Sequence, residues 1–584
     1  MNRYKRLIYP LILLPSVLFA QLHDAQWLLG SGGGTPPVSD SFGITILNFN
    51  TGDHPHISKH LDYSCDFVMT DASMCDSSGT LQCYTNGDHV YDASHQIMLN
   101  GTNIHPNNGY GYDVPQGVLF LPFPEHPKQY MLISMEKFPA DVHCRKLFYH
   151  RIDMNENNGL GKVVERRKLI VQDSLTIGGL TAVKHANGRD WWFFAWRYED
   201  KIVYSGLLSP AGIVTDTQIL DKKFNMYGQV TITPDGTRLI RADHRFLNLP
   251  ASLNIFDLDR CTGRLSNQQT HLLYEENQWF IGATVSPDSR FLYAHYDNFI
   301  YQFDLTAPDI FATQTLVGQW DGTFHSIWAL DTWLGQAGPD GRLYINTSNS
   351  SFSMHRIDFP NRPGTACRFI NNAVNTPTLN TREMPNFPNY RLGPLDGSPC
   401  DTLGLDNHPL ARFRWEAEDS TMAPLTLTFS DLSHYNPSVW HWDFGDGTSR
   451  DTTATGEVIH TFPAPGTYNV CLSVSNQYSA DTFCLTVHVG VVSSASAPER
   501  PLTAVTLAPN PAREAIYLYA QHLQNAHVQL SLFNAYGTPV LTRQLLLRDG
   551  AYISTAQLPN GIYGYRITLP DSGQIQTGKM IINH

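Results

Sequence analysis

Residues 233–240 read TPDGTRLI, 286–293 read SPDSRFLY and 338–345 read GPDGRLYI. Their prolines, at 234, 287 and 339, are 53 and 52 residues apart. Proline presets φ at the second position of a tight turn, and glycine accepts the positive φ that many turns need. Each stretch therefore reads as a turn that feeds a short apolar strand. A second strand follows each one and ends in aspartate beside a hydrophobic residue: LNIFDLD (253–259), IYQFDLT (300–306) and MHRIDFP (354–360). An earlier copy, FYHRIDMN (148–155), puts Asp153 two periods before Asp257, and ITILNFNTG (44–52) reads as another. A period near 50 with several strands per unit is the pattern of a β-propeller, because one blade cannot bury both of its faces alone. The copies count to seven blades, with six or eight also open.

The rest of the chain agrees with an all-β reading. Apolar residues at i, i+3, i+4 and i+7 are scarce, while short alternating runs such as WWFFAWRYEDKIVYSGLL (191–208) recur between turn residues. Asn-Gly or Asp-Gly pairs at 86–87, 187–188, 235–236 and 340–341 mark hairpins. With 584 residues and 42% hydrophobic content, the chain has the material for about three or more ordinary domains. A net charge of −13 argues against a nucleic-acid partner, which would require a basic face. The N-terminus combines the basic MNRYKR with the apolar LIYPLILLPSVLFA, the pattern of a secretory signal peptide over 1–20 with cleavage between Ala20 and Gln21. That run is short for a membrane span and no later stretch qualifies, so the expected mature chain has no transmembrane segment.

Three resemblances follow from particular motifs. DSSGTLQCYTNGDHVYDASHQIMLNG (76–101), LTAVKHANGRDWWFFAW (180–196), the Pro-Asp units and MPNFPNYRLG (384–393) resemble a propeller-type repeat module of large Bacteroidetes surface proteins. This resemblance implies architecture, a repeat domain over 21–395, and no particular chemistry. Trp442-Asp443-Phe444-Gly445-Asp446-Gly447, His460-Thr461-Phe462, Pro465-Gly466-Thr467-Tyr468 and NVCLSVSN occur in order within 413–489 and resemble a PKD domain, an immunoglobulin-like sandwich placed at 410–490. After a Ser/Ala/Pro-rich linker (491–503), LAPNPA (507–512), VQLSLFNAYGTPVL (528–541), LPNGIYGYRI (558–567) and GKMIIN (578–583) resemble the type A C-terminal sorting domain of type IX secretion, over 504–584. That family implies export by the outer-membrane machinery, removal of the domain by a sortase-like peptidase, and frequent attachment to surface lipopolysaccharide.

Candidate chemistry is sparse. In VWHWDFGDG (439–447), alternation puts Trp440, Trp442 and Phe444 on a core face and His441 and Asp443 on the other. The aspartates read as turn-formers, with a Ca²⁺ site as the weaker alternative, since that ion needs six or more oxygens and the stretch offers two carboxylates without the EF-hand spacing. His54, His56 and His60 have a zinc-like spacing but read as loop histidines on a blade edge. GQIQTGKM (573–580) fails as a phosphate loop at Met580. No G-x-S-x-G or H-E-x-x-H is present, and no cofactor is implied. Of nine cysteines, Cys471 and Cys484 are placed to bridge two successive sandwich strands, Cys367 and Cys400 flank the propeller exit as a candidate clip, and two of Cys65, Cys75 and Cys83 could pair.

The expectation is an exported, non-catalytic surface protein of binding or adhesion type, whose propeller and PKD-like domain contact a protein or glycan. Its competitors are a secreted hydrolase or lactonase-like enzyme, with side chains converging at one mouth of the propeller channel, and a structural component of a surface or gliding apparatus.

Overall fold

The computed structural model describes residues 21–32, 41–51, 54–61, 65–105, 112–138, 141–225, 227–244, 250–273, 281–325, 328–417, 425–453, 456–490 and most of 505–583. The signal segment, Ala20 and the 491–503 linker lie outside the described residues. Among the described residues no helix is long and apolar enough to cross a membrane.

Among the described residues seven small antiparallel sheets form the blades of the propeller, and a two-stranded ribbon (Phe324–His325, Trp328–Ala329) joins blades 6 and 7 in sequence. Blade 3 (Val118–Pro122, Gln129–Glu136, Cys144–Asp153, Lys162–Leu175), blade 4 (Thr181–Lys184, Trp191–Trp196, Ile202–Ser209, Gly212–Ile219) and blade 5 (Gly228–Ile232, Arg238–Asp243, Ala251–Asp259, Arg264–Leu273) each have four strands in sequence order. So do blade 6 (Ile281–Val285, Phe291–Tyr296, Phe299–Asp304, Thr315–Gln319) and blade 7 (Thr332–Ala337, Leu343–Thr347, Ser351–Ile357, Phe369–Asn380). Blade 1 (Gln26–Leu29, Ile44–Asn48, His56–His60) and blade 2 (Ala72–Cys75, Leu81–Thr85, Val90–Asp92) have three. Each Pro-Asp repeat is the hairpin between the first and second strands of its blade. First strands such as Thr181–Lys184 and Ile281–Val285 are wholly buried, because they are covered on both sides by neighbouring blades, whereas outer strands such as Gly212–Ile219 are mostly exposed.

Blade 1 is closed by the far end of the domain. Its strand Gln26–Leu29 runs antiparallel to the first strand of blade 2, since the backbone N–H of Cys75 bonds His23 O and the Ser73 hydroxyl bonds Gln26 O. The position inside it, where the other blades have their first strand, is taken by residues 381–391. Glu383 there accepts the Gly30 N–H (2.5 Å), and Arg391 clasps Asp24 (2.5 Å). Ile44–Asn48 thus takes the third place, that of Phe299–Asp304 in blade 6, which accounts for its resemblance to the Asp-ending copies. The axial segment forms no backbone ladder with Gln26–Leu29. Pro385 and Pro388 carry no N–H to donate, so side chains replace the ladder.

The second domain is a sandwich of two sheets, one of Phe413–Ala417, Thr426–Asp431 and Glu457–Thr461, the other of Ser449–Thr452, Val439–Asp443, Gly466–Ser475 and Ala480–Val489. Trp440, Trp442 and Phe444 are buried while His441 and Asp443 are exposed. Asp443 accepts the Gly445 N–H (2.9 Å), and Asp446 accepts the Thr448 N–H (2.9 Å) and meets His460 Nε2 (2.8 Å). The acidic turn is spent on its own backbone and on one histidine.

The C-terminal residues form a separate small sandwich, with sheets Val505–Ala508, Ala515–Ala520, Ala551–Ser554 and Pro539–Leu547, Ala526–Phe533, Gly561–Thr568, Ile575–Ile582. Ile516, Leu518, Leu530, Leu532, Ile567 and Met580 fill its core. Of the phosphate-loop lookalike, Gly573 and Gln574 lie outside the described residues, and from Ile575 on it is the strand Ile575–Ile582.

The cysteine pattern corrects the sequence reading. Cys471 and Cys484 are bridged. Cys400 pairs with Cys261, not with Cys367. Cys367 is a buried thiol packed with Phe291, Tyr293 and Ile345 between blades 6 and 7, while the chain carries Cys400 across the propeller face to the blade 5 turn that holds Cys261. Cys65, Cys75 and Cys83 are also free and buried. Cys83 pairs across the strands with Met74 and shares its face, which turns it away from Cys75. His56 and His60 begin and end the outer strand of blade 1, not a loop, and His60 stacks on His95.

Candidate functional site

Two places in the propeller concentrate polar groups: its axis and a cleft at one mouth of it. The axis is filled. Asn386 Nδ2 donates to Val118 O (2.8 Å) in blade 3 and to the Leu180 carbonyl beside blade 4 (2.9 Å), and its backbone N–H donates to Asp71 O (3.2 Å). Gln116 Nε2 reaches Asn386 Oδ1 (3.3 Å) and Val230 O (2.9 Å), while Gln116 Oε1 accepts the Val230 N–H (2.8 Å). Gln229 of blade 5 spans blades 6 and 7, donating to Gly335 O (2.6 Å) and accepting from Ala283 N (3.0 Å). Tyr390 donates to Phe120 O (2.8 Å), and Lys184 Nζ donates to Tyr390 O (3.2 Å).

Ionisable groups in the axis are held near neutrality by burial. Burial pushes Glu383 up to about 7, against the bonds it accepts from Gly30 and Thr381. Asp71, close to Glu383 and wholly buried, is raised further by burial and by that neighbour. Burial, then Arg260, lowers Lys184 to about 7. Two carboxyls thus meet near the end of the axis marked by Gly30, but one of them is occupied in closing the ring. The motif MPNFPNYRLG contains Asn386 but gave it no role, and nothing in the sequence singled out Glu383. The usable signal was the spacing of Pro385 and Pro388, which forbids a laddered strand there.

The cleft lies at the other mouth, on the face that carries the Pro-Asp hairpins. Its volume is about 450 Å³, within the range of small-ligand sites. One wall is the row of hairpins of blades 5, 6 and 7. They are tied sideways, since Asp235 N–H donates to Ser289 Oγ (3.0 Å) and Asp288 N–H to Asn361 Oδ1 (3.3 Å). The opposite wall is the segment 431–437 of the PKD-type sandwich, and the floor is 387–393 as it leaves the axis.

The walls are fixed relative to each other. Gly341 leaves room for Leu432, whose Cδ2 lies 2.4 Å from where a Cβ would stand. Arg342, fully buried, bonds Asp340 (2.8 Å) and reaches Glu416 of the sandwich (3.3 Å). Arg368 meets the same glutamate, Arg414 also bonds it (2.8 Å), and Arg362 bonds Glu457 (2.6 Å). Such buried networks define geometry more than they add stability. At the exit, Arg260 bonds Gly393 O (2.5 Å), and the Cys261–Cys400 bridge pins the chain to blade 5.

Desolvation, then Arg391 and Arg412, holds His434 well below its usual range, so this wall residue is uncharged near neutral pH. Arg391 is paired to Asp24. The cleft therefore presents carboxylates, amides and hydroxyls and no free cation among the described lining residues. Among the described residues no grouping of His, Cys, Asp and Glu is arranged to hold a metal.

Residues 408–491 match the PKD domain family, and 506–583 match the secretion-system C-terminal sorting domain. The chain therefore carries a PKD domain and a type IX sorting domain, which marks it for secretion to the cell surface. No curated protein matches it. Similar solved structures include a protein from Lactobacillus plantarum (13% identity, 61% of this chain and 97% of that one, TM-score 0.35). A candidate 6-phosphogluconolactonase from Bacteroides uniformis is 14% identical over 62% of this chain and 97% of that one, TM-score 0.34. The extracellular domain of a candidate hybrid two-component system from B. thetaiotaomicron is 10% identical over 96% and 97%, TM-score 0.31.

Proposed function

We propose that the secreted chain is a surface binding protein that recognises its ligand in the cleft between the Pro-Asp hairpins and the PKD domain, and that it has no catalytic site in the propeller axis. The observation that supports this reading is the axial segment 381–391. It occupies the space where a channel enzyme would hold substrate, and the amides of Gln116, Gln229 and Asn386 are used up in bonds to the blades. The cleft, in contrast, has volume and side chains whose bonding capacity is unspent. The PKD domain then acts as one wall of the site and not as a passive spacer, because its contacts with blade 7 fix the width of the cleft.

The test titrates the full chain against immobilised extracellular proteins and glycans. Binding that is lost in Asn361→Trp, which fills the cleft, and kept in Glu383→Gln, which alters the axis, is the expected result. Hydrolysis of a lactone or ester that disappears in Glu383→Gln or Asp71→Asn would overturn the reading.

A further inference from the structure

The unspent groups of the cleft are specific in kind. Asp235 uses Oδ1 to accept from Thr233 (2.5 Å) and from the Thr237 N–H (3.0 Å), and Asp288 uses Oδ1 to accept from Ser286 (2.5 Å) and the Arg290 N–H (3.1 Å). Each leaves Oδ2 with no bond to the described residues. Asn361 accepts through Oδ1, which leaves its NH₂ to donate, and Ser289 accepts the Asp235 N–H, which leaves its hydroxyl proton to donate. On the opposite wall Tyr435 is 8% exposed, and its hydroxyl has no partner among the described residues. That oxygen is itself shielded from solvent, so it bonds a ligand only when the ring turns into the cleft, a movement that would also satisfy a hydroxyl left unbonded in the wall.

Three ligand classes can be compared against this set. An anion would meet Asp235 and Asp288 with no free cation to offset them, since Arg391 is engaged by Asp24. A simple cation would use the two carboxylates but leave the donors of Asn361, Ser289 and Tyr435 idle. A hydroxyl both donates and accepts, so adjacent hydroxyls on one ligand use both halves of the set. The remaining wall surface is aliphatic: Pro234, Pro287, Pro339, Pro388, Leu392 and Leu432. That surface suits the C–H faces of a saturated ring rather than a fully hydrated chain.

We propose that the cleft binds a neutral polyhydroxylated ring, a hexose-type residue of a glycan. Asp235 and Asp288 accept from ligand hydroxyls, and Asn361, Ser289 and Tyr435 donate to ligand oxygens. The proposal rests on the binding reading above and adds the chemistry of the ligand.

The test presents the full chain to arrays of neutral gluco-, manno- and galacto-oligosaccharides, polygalacturonate and heparin as anionic glycans, chitosan as a cationic one, and extracellular matrix proteins. The expected result is retention of a neutral oligosaccharide. Affinity should fall at least about tenfold in Asp235→Asn/Asp288→Asn, which keeps both turn acceptors but removes the charge-assisted bonds. It should also fall several-fold in Tyr435→Phe with no loss of thermal stability, and stay unchanged in the remote Asp216→Asn. Binding lost in Asn361→Trp but directed to heparin, chitosan or a protein would overturn this inference and leave the binding reading standing. Retention of a neutral glycan that is indifferent to Asn361→Trp would overturn both. If the affinity loss in Tyr435→Phe is matched by a fall in melting temperature, the phenol acts in the fold and its proposed contact is wrong.

Discussion

The axis and the cleft are lined by the same kinds of residue, and their amides and tyrosines differ in what they have left to give, although in the axis the buried Asp71 carboxyl also has no partner among the described residues. In the axis, Asn386, Gln116 and Gln229 direct their amides at blade carbonyls and N–H groups, and Tyr390 at Phe120 O. In the cleft, Asp235, Asp288, Asn361 and Tyr435 keep open valences. A polar residue type in a propeller centre therefore says little about function by itself. The number of its bonds already made to the fold separates a structural amide from a recognising one.

The sharpest way to break this comparison is Asn386→Leu. It orphans the Val118 and Leu180 carbonyls in a dry interior, at about 1–3 kcal/mol for each unsatisfied group, and takes one of its three bonds from the Gln116 amide. A loss of about 4 kcal/mol is expected in denaturant unfolding of the propeller. A loss under about 1 kcal/mol would mean that the Asn386 amide bonds contribute little to the fold and that the contrast with the cleft is not real.

Next comes the clip at the exit. The Cys261–Cys400 bridge closes a loop of 139 residues, the Cys471–Cys484 bridge one of 13. Longer loops restrict the unfolded chain more, so Cys400→Ser should cost about 3 kcal/mol or somewhat more, and Cys471→Ser less, in non-reducing unfolding experiments. Cys400→Ser should also loosen the cleft floor, seen as faster hydrogen exchange at 389–393. Exchange rates unchanged there would show that Arg260 and Arg391 alone hold the segment.

Glu383 gives a pH test. Burial raises its folded-state pKa from the ordinary 4.5 to about 7, so the folded state holds a proton that the unfolded state releases. Its contribution is fully present below about pH 4.5 and is lost as pH rises through about 7, on the order of 2–3 kcal/mol across that window. Asp71 is raised in the same sense. The wild-type propeller should therefore gain stability relative to Glu383→Gln on mild acidification, and the variant's stability should be flatter between pH 4.5 and 7. Parallel curves would place the titrating proton elsewhere.

Much of this architecture was legible in the sequence because it is periodic. The 52–53-residue spacing of Pro234, Pro287 and Pro339 located three hairpins, and the alternation of Trp440, Trp442 and Phe444 gave the sandwich face. What was not legible depends on closure of the ring. Cys367 and Cys400 are near in sequence, but the return of the chain through the axis sends Cys400 to blade 5, and no local pattern encodes that path. The cleft is assembled from residues 235, 288, 361 and 435, which become neighbours only when three hairpins and the PKD domain share one face. The repeat puts the three Pro-Asp hairpins at equivalent positions of successive blades, and so on one face. The signal for the opposite wall was weaker: Tyr435 and Asn436 in succession adopt positive φ, at 63° and 51°, a cost that tertiary contacts must offset.

The smallest effect is the most discriminating, because it uses one chemical change at both places. Tyr390→Phe removes a hydroxyl that donates to Phe120 O at 2.8 Å in the axis, leaving that carbonyl unpaired. It should lower stability by about 1–2 kcal/mol. Tyr435→Phe removes a hydroxyl that makes no bond to the described residues, so the unliganded protein should be unchanged within about 0.5 kcal/mol or slightly more stable. The order should reverse in ligand binding, with Tyr390→Phe neutral and Tyr435→Phe weakened. Equal stability losses at the two sites would mean that the Tyr435 hydroxyl is already bonded within the fold, and the distinction between spent and unspent groups would then fail at the residue where it is most exposed to disproof.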